Sequence, residues 1–451
     1  MTKGSEAGGG AGTRRRRRLT TRKLFRHTGR WAAFLDDRMS PQKPLPEPYA
    51  LPREEKPPGE TTILVVDDQA SNRVAVCRLL SKEGYVFETA ADAQGAWTLL
   101  ENKPDIDLVL LDIYMPGMDG VALTQKIRKK SSRSDVGIIL LSASEDTKDV
   151  VTGLDSGADD FISKPVVKAV LLARMRSVLR LRQMETVLRH NVTRLRQDLI
   201  AAQELQLDLI PQAPLKTDRL RADWRYIPSR YVGGDMLGVS MLTSNRLGFY
   251  LADVSGHGAA AAMLAAWVHH FMRPRLPTGE APELTHSSQP SLHFLEPDRV
   301  LRRMDLVLDE GGGDRYLTAV YGVLELESGK LRYSIAGHPR PLRLGSNGEI
   351  DELDVASPPV GLGMGIPFKV GEVTLEPGQR LLLYTDGITE ARNPDGEMFA
   401  RERLEDVFAK TASSTLEKAL DTTLESVIEF SQKSNFEDDV TLLALELLPR
   451  V

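Results

Sequence analysis

The chain has 451 residues, more than one hydrophobic core usually organises, so two globular domains with connecting segments are expected. A hydrophobic content of 41% and a charged content of 27% exclude a fibrous or wholly disordered chain. One cysteine, Cys77, excludes an internal disulfide framework and a cysteine-based zinc site, which leaves oxygen or imidazole to hold any metal.

The formal net charge of -5 conceals an asymmetry, because residues 1–35 carry ten Lys or Arg against the single Glu6. Such a stretch, with its run Arg14 to Arg18, reads either as a solvated disordered tail or as an arm for nucleic acid or anionic lipid. Glycines precede it and the Pro-rich stretch Pro41 to Gly59 follows, which favours the tail. Leu19 to Arg30 is too charged to continue a twin-arginine signal. No basic-then-apolar leader opens the sequence, and the longest apolar run, Ala259 to Val268, is too short for a membrane span. A cytoplasmic location is therefore expected.

From Thr61 short apolar runs alternate with amphipathic stretches, the pattern of a parallel sheet with crossover helices. Strands are predicted at Ile63 to Val66, Phe87 to Ala90, Val109 to Leu111, Ile138 to Leu141 and Phe161 to Ile162. This predicts an α/β flavodoxin-like doubly wound sheet of five parallel strands, with its chemistry at the carboxyl ends of the strands.

After Val166 the sequence reads as one helix to about Ile210, without glycine. Leu171, Val178, Leu181, Leu188, Val192, Leu195, Leu199, Ala202 and Leu209 share a 3/4-spaced register, interrupted by Arg174, Glu185 and Gln206. The pattern predicts a parallel coiled-coil homodimer, the alternative being a helix packed on its own chain's domains. Charged residues such as Arg180, Arg182, Arg189, Arg194, Arg196 and Asp198 fill the other faces.

From about Leu215 strands are predicted at Leu247 to Leu251, Ala319 to Glu325, Leu331 to Ile335 and Arg380 to Tyr384. Helices are predicted at Ala259 to Phe271, Asp298 to Asp309 and Leu416 to Phe430, which gives an α+β sandwich. The Pro-, Ser- and His-rich segment Arg273 to Pro297 reads as a long loop, either a lid or an insertion.

The first group of candidate site residues follows the predicted parallel strands: Asp67 and Asp68, then Asp112, then Ser142, then Lys164 with Pro165. Three carboxylates at one sheet edge suit Mg²⁺, a carboxylate can form an aspartyl phosphate, and a hydroxyl with an ammonium suits the phosphoryl oxygens. Asp67 and Asp68 alone would read equally well as helix caps. The ordered set, over Thr62 to about Arg182, resembles the response-regulator receiver family. That resemblance implies Asp112 as phospho-acceptor, Asp67, Asp68 and Asp112 with the carbonyl of Tyr114 around Mg²⁺, and a cis peptide before Pro165. It also implies Ser142 and Phe161 as switch residues, and a sensor histidine kinase as partner.

The second group lies in Gly233-Gly234-Asp235, Asp253-Val254-Ser255-Gly256-His257-Gly258, Ala336-Gly337-His338-Pro339, Tyr384-Thr385-Asp386-Gly387 and Glu437-Asp438-Asp439-Val440-Thr441. Any one Asp-Gly pair may be read as a turn. Many carboxylates with few basic partners instead argue for a metal cluster, in which two bridged ions activate a shared water. From about Leu215 to Leu447 these motifs resemble the type 2C-like (PPM) metal-dependent phosphatases, in the bacterial branch of the sporulation stage II E and stress-regulator enzymes. The lead-in Ala201-Ala202-Gln203 through Leu209-Ile210-Pro211 resembles that branch too.

The second resemblance implies hydrolysis of phosphoserine or phosphothreonine with two Mn²⁺ or Mg²⁺. Its ligands would be Asp235, Asp253, the carbonyl of Val254, Asp386 and Asp438, with Asp439 as the alternative to Asp438. It also implies an anti-sigma-factor antagonist as substrate. The pattern departs at Met236-Leu237-Gly238, where many members carry aromatics and another acid, and Arg230 is an uncertain counterpart of the phosphate-binding arginine of eukaryotic relatives. His257 and His338, in Gly-flanked turns, read as structural; His269 and His270 have no assigned role.

The expected organisation is a disordered basic tail over 1–60, a receiver core over 61–167, a helical, coiled-coil linker over 168–211, and a PPM-type phosphatase domain over 212–451. The expected function is a two-component response regulator with a phosphatase output. A catalytically silent, receiver-gated module that sequesters a partner is the alternative, and its mark would be lost metal carboxylates. A nucleic-acid role ranks last, since no helix-turn-helix pattern is present.

Overall fold

The fold comes from a computed structural model that describes residues 57–130, 135–143, 147–256, 258–272, 296–310, 315–432 and 436–450. The basic tail up to residue 56, His257 and almost all of the Arg273 to Pro297 loop lie outside the described residues. Contacts divide the chain into two compact units, with the boundary between Gln197 and Asp198.

The first unit runs β1 (Thr62–Val66), α1 (Ala70–Ser81), β2 (Val86–Ala90), α2 (Ala93–Asn102), β3 (Ile106–Asp112), α3 (Gly120–Lys129), β4 (Gly137–Ser142), α4 (Thr147–Asp155), β5 (Asp160–Ser163) and the start of α5 (Lys168–Leu209). The sheet is parallel, in the order β2-β1-β3-β4-β5. The central strands are continuously apolar because both faces are covered. Leu64, Val66, Val109 and Leu111 pack with α2 and α3, whereas Ile63, Val65, Leu108 and Leu110 pack with α1 and α5. Asp92 and Asp119 cap α2 and α3, each accepting from a first-turn backbone N–H at 2.7 Å.

Helix α5 is one uninterrupted helix of 42 residues. Leu171, Leu172, Met175 and Val178 are buried against the first unit's sheet. Leu207, Leu209 and Ile210 pack into the second unit's core. Between these ends Leu181, Leu188, Val192 and Leu195 are more than half exposed, so this part of the apolar register is not covered by the described residues. Arg182 departs from the expected solvent face: it is half-buried and paired with Asp159, which Arg128 also contacts.

The second unit runs β6 (Leu215–Lys216), β7 (Leu220–Ile227), β8 (Met236–Thr243), β9 (Arg246–Val254), α6 (Ala259–Met272), α7 (Pro297–Glu310), β10 (Leu317–Glu325), β11 (Lys330–Ala336), β12 (Leu342–Leu344), β13 (Ile350–Glu352), β14 (Gly371–Thr374), β15 (Arg380–Tyr384), α8 (Asp386–Thr389), α9 (Ala400–Ala409), α10 (Leu416–Ser431) and β16 (Val440–Leu447). Two antiparallel sheets, β14-β11-β10-β9-β8 and β13-β12-β15-β16-β7-β6, pack face to face. Helices α6 and α7 cover the outer face of the first sheet, and α10 with α9 covers that of the second. Strand β16 shows the logic: Leu443, Leu445 and Leu447 enter the core between the sheets, while Val440, Leu442 and Ala444 face the α9/α10 side. No helix among the described residues is long and apolar enough to cross a membrane.

Candidate functional site

In the first unit the neighbouring strands β1, β3, β4 and β5 end together, and the crossover direction reverses between β1 and β3. Asp67 and Asp68 follow β1, Asp112 and Ser142 end β3 and β4, and Lys164 follows β5. The carboxylates of Asp67, Asp68 and Asp112 each offer an oxygen within 4.8 Å of the others. Lys164 Nζ lies 2.8 Å from Asp67 Oδ2 and 2.9 Å from Asp112 Oδ2. Asp67 is also held by the backbone N–H of Gln69 at 2.9 Å and by Asn72, so it serves the entry to α1 as well as the cluster. The Lys164–Pro165 peptide is cis.

Burial pushes the Asp112 carboxyl up, with Lys164 pulling it back and the Asp67 charge adding to the rise. Burial alone would lower the Lys164 ammonium, yet Asp67 and Asp112 hold it above its ordinary value. Ser142 is buried at the end of β4. Tyr114 lies two residues past Asp112 with its side chain half out in solvent. Phe161 carries the Arg174 guanidinium over its ring at 5.6 Å. Arg174, which breaks the apolar register of α5, also pairs with Asp160.

The second unit builds its acidic site differently. Asp253 and Val254 end β9, Asp235 precedes β8, Asp386 opens α8, and Asp438 with Asp439 precedes β16. Asp235 is fully buried, and its Oδ2 accepts from the Thr385 hydroxyl at 2.8 Å and from the Thr441 hydroxyl. Thr385 and Thr441 are themselves tied backbone to backbone across β15 and β16. Gly234 stands against the Val254 carbonyl and Asp253, where a Cβ would come within 2.8 Å of that carbonyl.

The adjacent aspartates Asp438 and Asp439 separate by role. Asp439 is buried, and its oxygens accept from the backbone N–H groups of Ser229 at 2.7 Å, Gly234 at 2.5 Å and Asp235 at 3.4 Å. It is a scaffold for the turn that delivers Asp235. Asp438 is exposed, and its charge acts on Asp253 and Asp386.

Burial raises the carboxyls of Asp235, Asp253, Asp386 and Asp439. Carboxylate neighbours add to the rise: Asp253 and Asp439 act on Asp235, Asp386, Asp438 and Asp439 act on Asp253, and Asp438 acts on Asp386. Among the described residues no lysine, arginine or histidine pairs with this group, in contrast to Lys164 in the first unit. An anionic cluster of oxygen donors, with a carbonyl exposed by a glycine, fits hard divalent cations. No three of its carboxylates converge as tightly as Asp67, Asp68 and Asp112 among the described residues. A spread donor set of this kind suits ions that share bridging water better than one ion caged by side chains.

Arg230 is exposed on the loop before Gly233. His338 is fully buried, with Nδ1 2.7 Å from the Thr318 hydroxyl, and burial lowers its pKa to about 3. A buried imidazole held by Thr318 fits the structural reading. Two residues that the motifs did not assign hold a site carboxylate, Thr385 and Thr441; Gln206, outside the site, holds Gly233 in the turn before Asp235. The threonines flank the motif aspartates in the sequence; Gln206 showed only as a polar break in the register of α5.

Residues 63–176 match the family model of the response regulator receiver domain, and residues 243–448 match that of stage II sporulation protein E (SpoIIE). The chain thus carries a domain that matches the response-regulator receiver family followed by one that matches the SpoIIE family. Transcriptional regulatory protein CseB of Streptomyces avermitilis is 43% identical over 122 residues, 27% of this chain and 50% of that protein. The chain spans about half the length of the curated relatives it matches. Among solved structures, the SiaA-PP2C domain of Pseudomonas aeruginosa is 18% identical over 57% of this chain and 98% of its own, with a TM-score of 0.48. The RsbU and RsbW domains of a Mycobacterium tuberculosis protein are 26% identical over 51% of this chain and 60% of theirs, with a TM-score of 0.41.

Proposed function

We propose that this chain is a two-component response regulator whose output is metal-dependent dephosphorylation of phosphoserine or phosphothreonine on a protein partner, controlled by phosphorylation of Asp112. The observation that carries the reading is the second acidic site: mutually repelling carboxylates that pair with no cationic side chain among the described residues, in a unit whose residues 243–448 match the SpoIIE family model. In this reading Asp235, Asp253, the Val254 carbonyl, Asp386 and Asp438 hold two Mn²⁺ or Mg²⁺, and Asp439 keeps its scaffold role. When bound, the ions lower the pKa of a shared water and neutralise the phosphoryl oxygens. The protein's own part is to fix the carboxylates: Thr385 and Thr441 orient Asp235, and Asp439 braces the turn before it.

In the first unit Asp112 is the phospho-acceptor for a sensor histidine kinase. Asp67, Asp68, Asp112 and the Tyr114 carbonyl hold Mg²⁺, and Lys164 and Ser142 contact the incoming phosphoryl group. The domain limits at 61–167, 168–211 and 212–451 belong to this reading, as does a cytoplasmic location. The exposed register Leu181, Leu188, Val192 and Leu195 supports a homodimer paired through α5, which equilibrium sedimentation of the native chain and Leu188→Glu/Leu195→Glu tests by the loss of dimer mass. An anti-sigma-factor antagonist as substrate rests on the family resemblance alone.

The deciding experiment is hydrolysis of p-nitrophenyl phosphate with and without Mn²⁺, by the native chain and by Asp386→Ala, each with and without beryllofluoride. Mn²⁺-dependent turnover that is lost in Asp386→Ala and altered by beryllofluoride is expected. Absence of turnover under every condition would favour the partner-sequestering module.

A further inference from the structure

Gln206 belongs to none of the acidic motifs, yet it is 6% exposed on the last turn of α5, beside the exposed Leu205. Its Nε2 donates to the Gly233 carbonyl at 2.7 Å, and its Oε1 accepts from the Gly233 N–H at 3.0 Å. One side-chain amide thus holds both polar groups of a single backbone residue. The next two N–H groups, of Gly234 and Asp235, go to Asp439. Three successive N–H groups of the turn that delivers Asp235 are therefore fixed by side chains from distant segments, one of them on the helix.

We propose that Gln206 is the positioning residue through which the end of α5 sets the placement of Asp235, so that the seating of the helix determines how tightly the second site takes a divalent cation. The proposal deepens the phosphatase reading and rests on it.

The geometry allows little slack. Hydrogen bonds of this type hold over a range of about 0.5 Å, so a displacement of the last turn by about 1 Å breaks both contacts together. A Cβ at Gly233 would overlap the Asp439 carboxylate and the Tyr226 hydroxyl, so the turn has no room on that side and relaxes toward Gln206 when the clamp opens. Leu207, Leu209 and Ile210 seat the same turn in the core, so the position of Gln206 follows that of the helix. The helix is continuous with the segment around Leu171 and Met175 that packs in the first unit.

The test uses the full chain carrying Asp68→Ala, so that the first site does not take the ion. Gln206→Leu, which removes both hydrogen bonds at similar volume, is compared with its parent and with Leu207→Ala, a packing change on the same turn. Mn²⁺ binding is measured by titration calorimetry, folding by circular dichroism, and turnover of p-nitrophenyl phosphate as a function of Mn²⁺. Supporting groups of metal ligands typically contribute 10–100-fold in affinity, so Gln206→Leu should bind Mn²⁺ about tenfold or more weakly. Half-maximal turnover should shift to higher Mn²⁺ by the same factor, with the rate at saturating Mn²⁺ within about twofold of the parent.

Unchanged Mn²⁺ affinity in folded Gln206→Leu would overturn the proposal, as would an equal loss in Leu207→Ala, which would mark general loosening. A native chain that binds no Mn²⁺ overturns it too. A native chain that binds Mn²⁺ without turnover defeats the phosphatase reading, while calorimetry still decides the role of Gln206.

Discussion

The two acidic sites use the same residue type in opposite electrostatic settings. In the first unit three carboxylates crowd within 4.8 Å, and Lys164 bridges two of them. In the second the carboxylates are more spread, without a cationic side chain among the described residues, and the two buried ones, Asp235 and Asp439, are held by threonine hydroxyls and backbone N–H groups. The first arrangement contains its own positive charge, which in the proposed reading leaves room for a transient phosphoryl anion. The second contains none among the described residues, and in that reading cations supply it. Low dielectric magnifies both effects, since a buried charge that lacks a partner either neutralises or acquires one.

Deleting one carboxylate from each site gives the largest expected effects and separates the two. Asp112→Asn should abolish labelling by acetyl phosphate while leaving Mn²⁺-dependent hydrolysis intact. Asp386→Ala should do the reverse and lower turnover by more than about 100-fold, because it removes a direct donor where even outer partners contribute about 10–100-fold. Loss of both activities in either single variant would break the separation.

The next effect is on stability. A cation that binds only the folded state at 100 times its dissociation constant stabilises by about 2.7 kcal/mol. Mn²⁺ should therefore raise the melting temperature of the native chain, and Asp253→Asn/Asp386→Ala should lose most of that rise. A rise that survives in the double variant but vanishes in Asp68→Ala/Asp112→Asn would assign the dominant cation site to the first unit instead. Thr441→Val removes a donor to the buried Asp235 and should cost about 1–3 kcal/mol in chelator, read by urea denaturation.

The first unit was the more legible in the sequence. All five of its strands lie where the short apolar runs place them, most plainly β1, β3 and β4, whose near-continuous burial leaves an unbroken apolar run with the polar residues at the strand ends. In the second unit the predicted elements do not include β6, β7, β8, β12, β13, β14, β16, α8 or α9. Strand β16 is apolar throughout because each face enters a different core, but its Asp-Asp-Val-Thr start drew attention to the motif and away from the strand. The polar breaks in α5 were visible without their reasons: Arg174 pairs with Asp160, Glu185 with Arg182, and Gln206 with Gly233. Two of these reasons, at Arg174 and Gln206, are contacts to distant segments, which periodicity does not encode; the third is a local i,i+3 pair on the helix surface. The backbone N–H groups that surround Asp439, and that distinguish it from the exposed Asp438, are likewise not legible in the sequence.

The smallest predicted effect concerns His338, a buried titratable group that contacts none of the acidic residues in either site. Its pKa falls to about 3 because burial disfavours the imidazolium. The unfolded chain takes up this proton near pH 6.5 and the folded chain does not until about pH 3, so stability falls with falling pH through that window. At pH 5.5 the loss is about 1 kcal/mol relative to pH 7. Raised carboxyls such as Asp253 oppose it, since a folded state that keeps a proton gains stability as pH falls. The comparison must therefore be with His338→Asn, which retains those carboxyls. Urea denaturation with Mn²⁺ at pH 7 and pH 5.5 should show the native chain losing about 1 kcal/mol more than the variant across that interval. Equal losses would mean that His338 is reached by solvent and takes its proton in the folded state, which would return it to consideration as a proton donor in the second site.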